Sequence, residues 1–402
     1  MDTRDIIQDR SVLFACQGWL LLKQDHDVIV VGAGPAGATV AYELGKKGVA
    51  VLVLEKAKMP RYKCCAGGVT SKAAKLLDFD ISQAVERVIY ELSFSFNLSS
   101  PYVGRHSRPL IYTVMRDVFD HLLAERAQHV GAVFMDGQRV TKLEMNNDWV
   151  EISTADDIFR CRVVVGADGA YSVVARELGM GRHVKHLAGI ESEIVVSEGE
   201  LAKWESRVRA DLGYIPGGYA WVFPKRDHLS VGAGCLASKA KSLGRLHQEF
   251  VDSLGIGGYT IARSSSHLIP TCTRGRLVWQ DKALLLGDAA GFADPLTGEG
   301  IYNAILSAQL AAPVVEDSLE RGSVRLQDYQ RIAERKIMSE LEIARRLSRF
   351  FVRFPRPTFG MLNQGEGVWR AMYGLICGEL QYSDIRARAA GFKSIFGRMF
   401  RA

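Results

Sequence analysis

The stretch HDVIVVGAGPAGATVAYELGKKGVAVLVLEK, residues 26–56, constrains this chain more than any other. Residues 28–31 are apolar and β-branched, as a parallel strand buried on both faces should be. Three glycines follow at the spacing GxGxxG: Gly32, Gly34 and Gly37. An alanine-rich helix is predicted over residues 35–46, ended by Gly48, and VAVLVLE reads as a second buried strand. The chain therefore opens on a βαβ unit.

The chemistry of that unit is specific. Gly32 permits a tight turn, Gly34 lets a pyrophosphate approach the backbone, and Gly37 lets the helix pack on the strand. The turn runs through Ala36 into a helix whose N-terminus supplies amide donors and the positive end of a dipole. Glu55 closes the second strand, where a carboxylate accepts from ribose hydroxyls. An acid at this position disfavours a 2′-phosphate, so the unit is predicted to bind a dinucleotide.

Three later segments point to FAD as that dinucleotide. TVMRDVFDHLLAERA carries Arg116 and Asp120 on a helix; GADGAYSVVAREL, with Asp168, is a strand turning into a helix. In LLLGDAAGFADPLTGEGIYNAI, Asp288 ends an apolar strand and suits a ribityl chain, with a helix N-cap as the plainer alternative. Gly298 and Gly300 open the next helix at Ile301, whose dipole can stabilise charge on a reduced flavin.

Between these pieces, VIYELSFSF, LAGIESEIVV, GYAWVFP and HLSVGAG alternate like strands of an antiparallel sheet. The predicted fold is α/β: a discontinuous, Rossmann-like FAD domain (26–85, 106–185 and 270–322) with an inserted mixed or antiparallel sheet (86–105 and 186–269). Residues 323–402 are predicted to form a helical region, broken at FPRP, and residues 1–25 an N-terminal extension with a helix packed on the body.

Composition removes other classes. With 402 residues there is room for two or three domains, and 48% hydrophobic against 24% charged residues mark an ordinary globular chain rather than a disordered one. Seven cysteines without regular spacing argue against a disulfide framework and for a reducing, cytoplasmic compartment. With no paired CxxC and no HxH or HExxH, no metal site is expected. No apolar run reaches the ~18 residues of a spanning helix. SVLFACQGWLLL is too short for one, and its flank is not cationic as a secretory signal requires.

KCCAGGV, residues 63–69, is unusual. A disulfide between adjacent cysteines is strained and rare, and no histidine adjoins the pair to make a metal site. Cys64 is expected to pack. Cys65 is read either as a small buried hydrophobe or as a thiol facing the cofactor. Tyr219, Trp221 and Phe223 alternate along one strand and so share a face.

Taken together, these motifs resemble the flavoprotein superfamily of aromatic hydroxylases, halogenases and geranylgeranyl reductases. CAGGVTSKA, PGGYAWVFPK and DPLTGEGI are similar to the last of these, over residues 27–312. The resemblance implies that Gly37 and Glu55 make the first nucleotide contacts. Cys65, Ala66 and Gly68 would form the loop beside the isoalloxazine, and Arg116 would stand near the cofactor. Val140 would lie on a strand beside the adenine, and Asp288, Gly300 and Ile301 in the final flavin loop. It implies a catalytic role for Cys65 and a lipid-lining role for Tyr219, Trp221 and Phe223. Cys64 departs from the family, which often has proline before the loop cysteine.

The activity so implied is reduction of isoprenoid C=C bonds on a geranylgeranyl or polyprenyl lipid or diphosphate. Electrons would come from an external donor such as NADPH or ferredoxin. The competing readings are an FAD monooxygenase or halogenase, and a basic lipid- or nucleic-acid-binding protein that keeps the fold. The last rests on residues 323–402, with 15 Lys and Arg against 7 Asp and Glu. No recognition helix or base-stacking motif accompanies that charge, so no nucleic-acid partner is expected. Instead, ARRLSRFFVRFPRP interleaves Arg345, Arg346, Arg349 and Arg353 with Leu347, Phe350, Phe351 and Phe354, and Phe392, Phe396 and Phe400 follow at helical spacing. That composition suits peripheral docking on an anionic membrane, with a helix packed on the body as the alternative.

Overall fold

The computed structural model describes residues 26–322, 324–362 and 366–390. The N-terminal extension and Phe392, Phe396 and Phe400 lie outside the described residues. The first half of the chain contains β1 (His26–Val31), α1 (Pro35–Gly45), β2 (Val51–Glu55), β3 (Gly68–Thr70), α2 (Ser71–Ala74), β4 (Val85–Ile89), β5 (Glu91–Phe96) and β6 (Tyr102–Arg105). Next come β7 (Ile111–Val114), α3 (Arg116–His129), β8 (Val133–Asp136), β9 (Lys142–Met145), β10 (Val150–Ser153), β11 (Ile158–Gly166) and α4 (Val173–Glu177). The second half begins with β12 (Val184–Val195), α5 (Glu198–Ala202), β13 (Arg207–Leu212), β14 (Gly218–Pro224), β15 (Leu229–Leu236), α6 (Leu243–Ser253) and β16 (Thr260–Cys272). It closes with β17 (Trp279–Gln280), β18 (Ala283–Leu285), α7 (Gly287–Ala290), α8 (Ile301–Glu320), α9 (Gln327–Ala333), α10 (Ser339–Arg353), α11 (Pro355–Leu362), α12 (Glu366–Cys377) and α13 (Tyr382–Ala390).

The first sheet runs β17-β18-β11-β1-β2-β8, with β10 and β9 extending from β11. β1 pairs in parallel with β2 on one side and β11 on the other. Its central place explains its composition: Val28, Ile29 and Val30 are 0% exposed. Burying each such side chain stabilises the fold by about 1.5–3 kcal/mol. Helices α1 and α8 pack together on this sheet, joined through one apolar core. Because β1 connects to β2 on one side while β11 lies on the other, the glycine turn after β1 opens into the crevice at a topological switch point.

The second sheet has the order β16-β12-β15-β14-β13-β5-β6 and is antiparallel except where β13 meets β5. VIYELSFSF is not one strand. It breaks at Tyr90, so that β4 joins a three-stranded sheet with β7 and β3 while β5 enters the large sheet. Both halves alternate, so periodicity could not show that the partner changes between them.

The C-terminal helices pack against the β5–β6 edge. Trp369 stacks on Phe94 at 5.8 Å and Phe359 on Phe96 at 5.5 Å. Helix α10 ends at Arg353, and α11 begins with Pro355 after the expected break.

Candidate active site

The glycine turn has the geometry its sequence implies. Gly32 has φ +101°, and a Cβ there would meet the Ala167 carbonyl oxygen at 2.5 Å. A Cβ on Gly37 would stand 1.8 Å from the Gly32 oxygen, so helix and turn touch only because both residues are glycine. Gly34 differs: the nearest atom to its notional Cβ is Arg61 Nη2 at 3.8 Å, so this glycine faces open space. That space is part of a cavity of about 1410 Å³. Ordinary small-molecule sites span about 300–1,000 Å³, so this one can take a dinucleotide and a second, long ligand.

Charge near the turn is organised around Asp120, which is 0% exposed. Arg116 Nε and Nη2 donate to its two oxygens at 2.8 and 2.9 Å, and Arg61 Nη1 donates to Oδ2 at 2.8 Å. Burial opposes the Arg116 charge, but Asp120 outweighs it and holds the pKa above the ordinary arginine value. Arg61 also reaches Glu55 at 3.5 Å. Glu55 accepts from Ala33 N at 2.9 Å and Ala57 N at 3.1 Å, so its carboxylate is fixed at the rim with lone pairs to spare. Two arginines compensated by two acids leave an approach for a pyrophosphate without an isolated buried charge.

Deeper in, residues 63–67 form an irregular loop that leads into β3. Cys64 Sγ donates to Ser265 O at 3.5 Å, and burial, followed by Glu191, pushes its pKa up to about 12. It is half-buried against β16 and also borders the cavity. Cys65 packs partly on the core around Val69 and Val114, lies beside Arg116, and its Sγ accepts from Gly67 N at 3.4 Å. The main-chain N–H of Cys65 donates to Glu191 Oε1 at 3.2 Å. From the end of β14, the buried Lys225 Nζ donates to Ala66 O at 2.7 Å and Val114 O at 2.8 Å. The loop is thus pinned from the second sheet on both sides of the thiol.

Tyr219, Trp221 and Phe223 all line the cavity from β14. Tyr219 stacks on Trp221 at 5.6 Å and donates its hydroxyl to Thr297 O, tying the strand to the loop before α8. The Trp221 indole lies flat on β15 because Gly232 is there; a Cβ would meet the ring at 2.4 Å. Beyond this strand, Leu347, Phe351, Met372 and Leu375 close the cavity with apolar side chains from α10 and α12.

Of the residues singled out in the sequence, Gly32, Gly34, Ala36, Glu55, Cys65, Ala66, Gly68, Arg116, Val140, Asp168, Asp288, Gly298, Gly300, Ile301, Tyr219, Trp221 and Phe223 all border this one cavity. Gly37 stands behind the turn. Two details differ from expectation. Val140 is on the link between β8 and β9, not on a strand. Asp288 sits in the first turn of α7 rather than at a strand end, and its carboxyl caps nothing. Burial raises its pKa, with Lys63 and Arg116 opposing. Asp168 accepts from Val173 N at 2.6 Å, while its other oxygen is buried without a protein partner.

Sequence reading missed Arg61, Lys63, Glu191 and Lys225, which line the cavity or brace its loop. Arg61 and Lys63 sit in irregular chain, and only long-range contacts give them meaning.

An open cradle at Gly34, paired cations beside it and an orphaned Asp168 oxygen along the wall fit FAD. Residues 25–215 match the family of FAD binding domains. Among solved structures, a geranylgeranyl bacteriochlorophyll reductase-like protein from Thermoplasma acidophilum aligns with a TM-score of 0.75 at 22% identity, covering 82% of this chain and 88% of that one. The flavin-dependent brominase Bmp2 aligns at 0.71 and 19%, covering 88% and 94%. Fold and site together define an FAD-dependent oxidoreductase, and the fold is shared by reductases and halogenases alike.

Sequence relatives divide those two. The chain is 33% identical over 332 residues to an uncharacterised protein of Methanosarcina barkeri, covering 83% of this chain and 85% of that one. It is 31% identical to the chloroplastic geranylgeranyl diphosphate reductase of Nicotiana tabacum, covering 73% and 67%. It is 30% identical to digeranylgeranylglycerophospholipid reductase 1 of Methanopyrus kandleri, covering 81% and 90%. The chain belongs to the geranylgeranyl reductase family of FAD-dependent oxidoreductases.

Proposed function

We propose that the protein saturates C=C bonds of a geranylgeranyl or longer polyprenyl chain carried on a lipid or diphosphate. The observation that carries this reading is the continuity of the cavity. It runs from the glycine turn past the Cys65 loop and along the aromatic face of β14 to an apolar end under α10 and α12. A flexible hydrocarbon suits a cavity whose far end is lined by Leu347, Phe351, Met372 and Leu375.

Reduced FAD supplies a hydride. Gly32, Gly34, Arg61, Arg116, Glu55 and Asp288 would hold and orient the cofactor, with Val140 beside the adenine. Tyr219, Trp221 and Phe223 would align the alkene, and Cys65 would stand where a thiol can position it or pass a proton. An unactivated alkene offers no carbonyl to polarise, so positioning must supply much of the rate. The apolar end would help keep water from the reacting pair.

A prenyl substrate resides partly in membrane, and no helix among the described residues is long and apolar enough to cross one. Docking on an anionic surface would therefore fall to Phe354, 47% exposed, and Val352, 38% exposed, beside the exposed Arg349 and Arg353. Arg345 does not belong to that surface. It is turned inward to Glu342 and donates to Cys272 O at 2.6 Å.

The deciding experiment is anaerobic reduction of the flavin by an external donor, followed by mass spectrometry of products from a panel of prenyl lipids. A gain of two mass units per double bond is expected. Hydroxylated or halogenated aromatic products in the presence of oxygen would favour a monooxygenase or halogenase instead.

A further inference from the structure

Four titratable side chains form a line from solvent to the back of the Cys65 loop. Asp227, with its side chain 84% exposed, stands 2.6 Å from His228 Nδ1. His228 Nε2 stands 3.0 Å from Glu193 Oε2. Glu193 and Glu191 are two apart on β12 and share a face, one pleat repeat or about 7 Å along the strand. Tyr62 stands beside both and donates to Glu193 Oε1 at 3.3 Å. Glu191, 2% exposed, borders the cavity and holds the Cys65 N–H.

We propose that Asp227, His228, Glu193 and Glu191 are the route by which a proton from solvent reaches the Cys65 loop. This rests on the reductase reading above, because saturation of a C=C bond consumes one hydride and one proton. Glu191, as the carboxylic acid, gives its proton past the Cys65 loop to the alkene carbon that the hydride does not take and is left as carboxylate. A proton from water then enters at Asp227, is taken up at His228 Nδ1 and leaves from Nε2 to Glu193, and the Tyr62 hydroxyl, beside both glutamates, accepts it from Glu193 while giving its own to Glu191. No electron moves along this line.

Every neighbour of Glu191 is compatible with that duty. Burial, then the like charge of Glu193, raises its pKa to about 7, while Lys225, just after β14, and Ser230 from β15 hold it back. Tyr62 and Cys64 from the loop stay protonated beside it. Lys225 is lowered by burial and supported by both glutamates. Arg263, in register with Glu193 on β16, stacks over the Tyr62 ring at 4.1 Å. His228 is raised because its bonds to Glu193 and Asp227 outweigh burial.

The test is an infrared pH titration of the purified holoenzyme, with no prenyl substrate present. A carboxylic-acid C=O band should disappear with a midpoint near 7 and be missing in Glu191→Gln, where the amide oxygen can still accept from Cys65. In Glu193→Gln the midpoint should fall, since a like charge is gone. On mixing into D₂O, deuteration of that band should slow about a hundredfold or more in His228→Phe, at the low end of what a positioned proton-transfer group contributes. Bound FAD reports whether each variant folds, and Glu193→Gln serves for the exchange measurement if His228→Phe does not fold. Absence of the band at any pH, or exchange unchanged in both variants, would overturn the route. Loss of prenyl reduction with the band intact would instead overturn the reductase reading.

Discussion

The Lys225 ammonium, 0% exposed, donates to the carbonyl of Ala66 at 2.7 Å. That bond helps tie the cysteine loop to the end of the aromatic strand in the second sheet. Lys225→Met keeps the bulk but takes the donor from the half-buried Ala66 carbonyl and the buried Val114 carbonyl and removes a countercharge from Glu191. Urea unfolding should show a loss of about 2–5 kcal/mol. A smaller loss than about 1 kcal/mol would mean the loop is held elsewhere.

Gly34 and Gly37 should respond differently to substitution. Gly34→Val meets no protein atom closer than the Arg61 guanidinium, so the variant should fold and yet copurify without FAD. Gly37→Val collides with the Gly32 oxygen and should fail to fold. Absorbance of the bound flavin and circular dichroism separate the two. A Gly34→Val protein with full FAD would count against the cofactor site.

The role proposed for Cys65 predicts unequal losses at the two adjacent cysteines. Cys65→Ser should bind FAD but lose alkene reduction by at least about tenfold, about 1.4 kcal/mol of barrier. Cys64→Ser should lose much less, because its sulfur faces Ser265 on β16. Equal losses would sink the division.

Stability should fall with rising pH in two stages. Glu191 keeps its proton in the folded state up to about 7 while the unfolded carboxyl releases it near 4.5. Between those values the native state binds more protons, so stability drops as pH rises. His228 is shifted upward, so its contribution is full below 6.5 and is lost as pH passes its folded pKa. Glu191→Gln should remove the first stage and His228→Gln the second, read from denaturation midpoints across pH. A wild-type midpoint that stays level from about pH 5 to 7 would contradict a protonated Glu191.

Sedimentation with anionic liposomes tests the docking surface. Each basic residue near such a surface contributes about 1 kcal/mol, screened by salt. Binding should be salt-sensitive and weaken in the Arg349→Gln, Arg353→Gln double variant while FAD is retained. Binding indifferent to both would assign α10 to structure alone.

The dinucleotide site was legible because its demands are local. A turn with φ +101° at Gly32, a close contact at Gly37 and an acid at the end of β2 are imposed within 30 residues, and glycine and glutamate leave a readable mark. The aromatic face of β14 was legible for the same reason, since alternation alone sets Tyr219, Trp221 and Phe223 on one side. What the tertiary structure decided is whatever depends on two distant segments meeting. Arg61 owes its role to Asp120, 59 residues away, and Lys225 to Ala66, 159 residues away. Tyr90 divides one alternating stretch between two sheets, because a strand's pattern specifies a buried face and not the partner beside it. Glu191 is an ordinary glutamate until β14, β15 and the cysteine loop close over it. Burial by those three segments then holds its proton, and no residue next to it in the chain could have announced that.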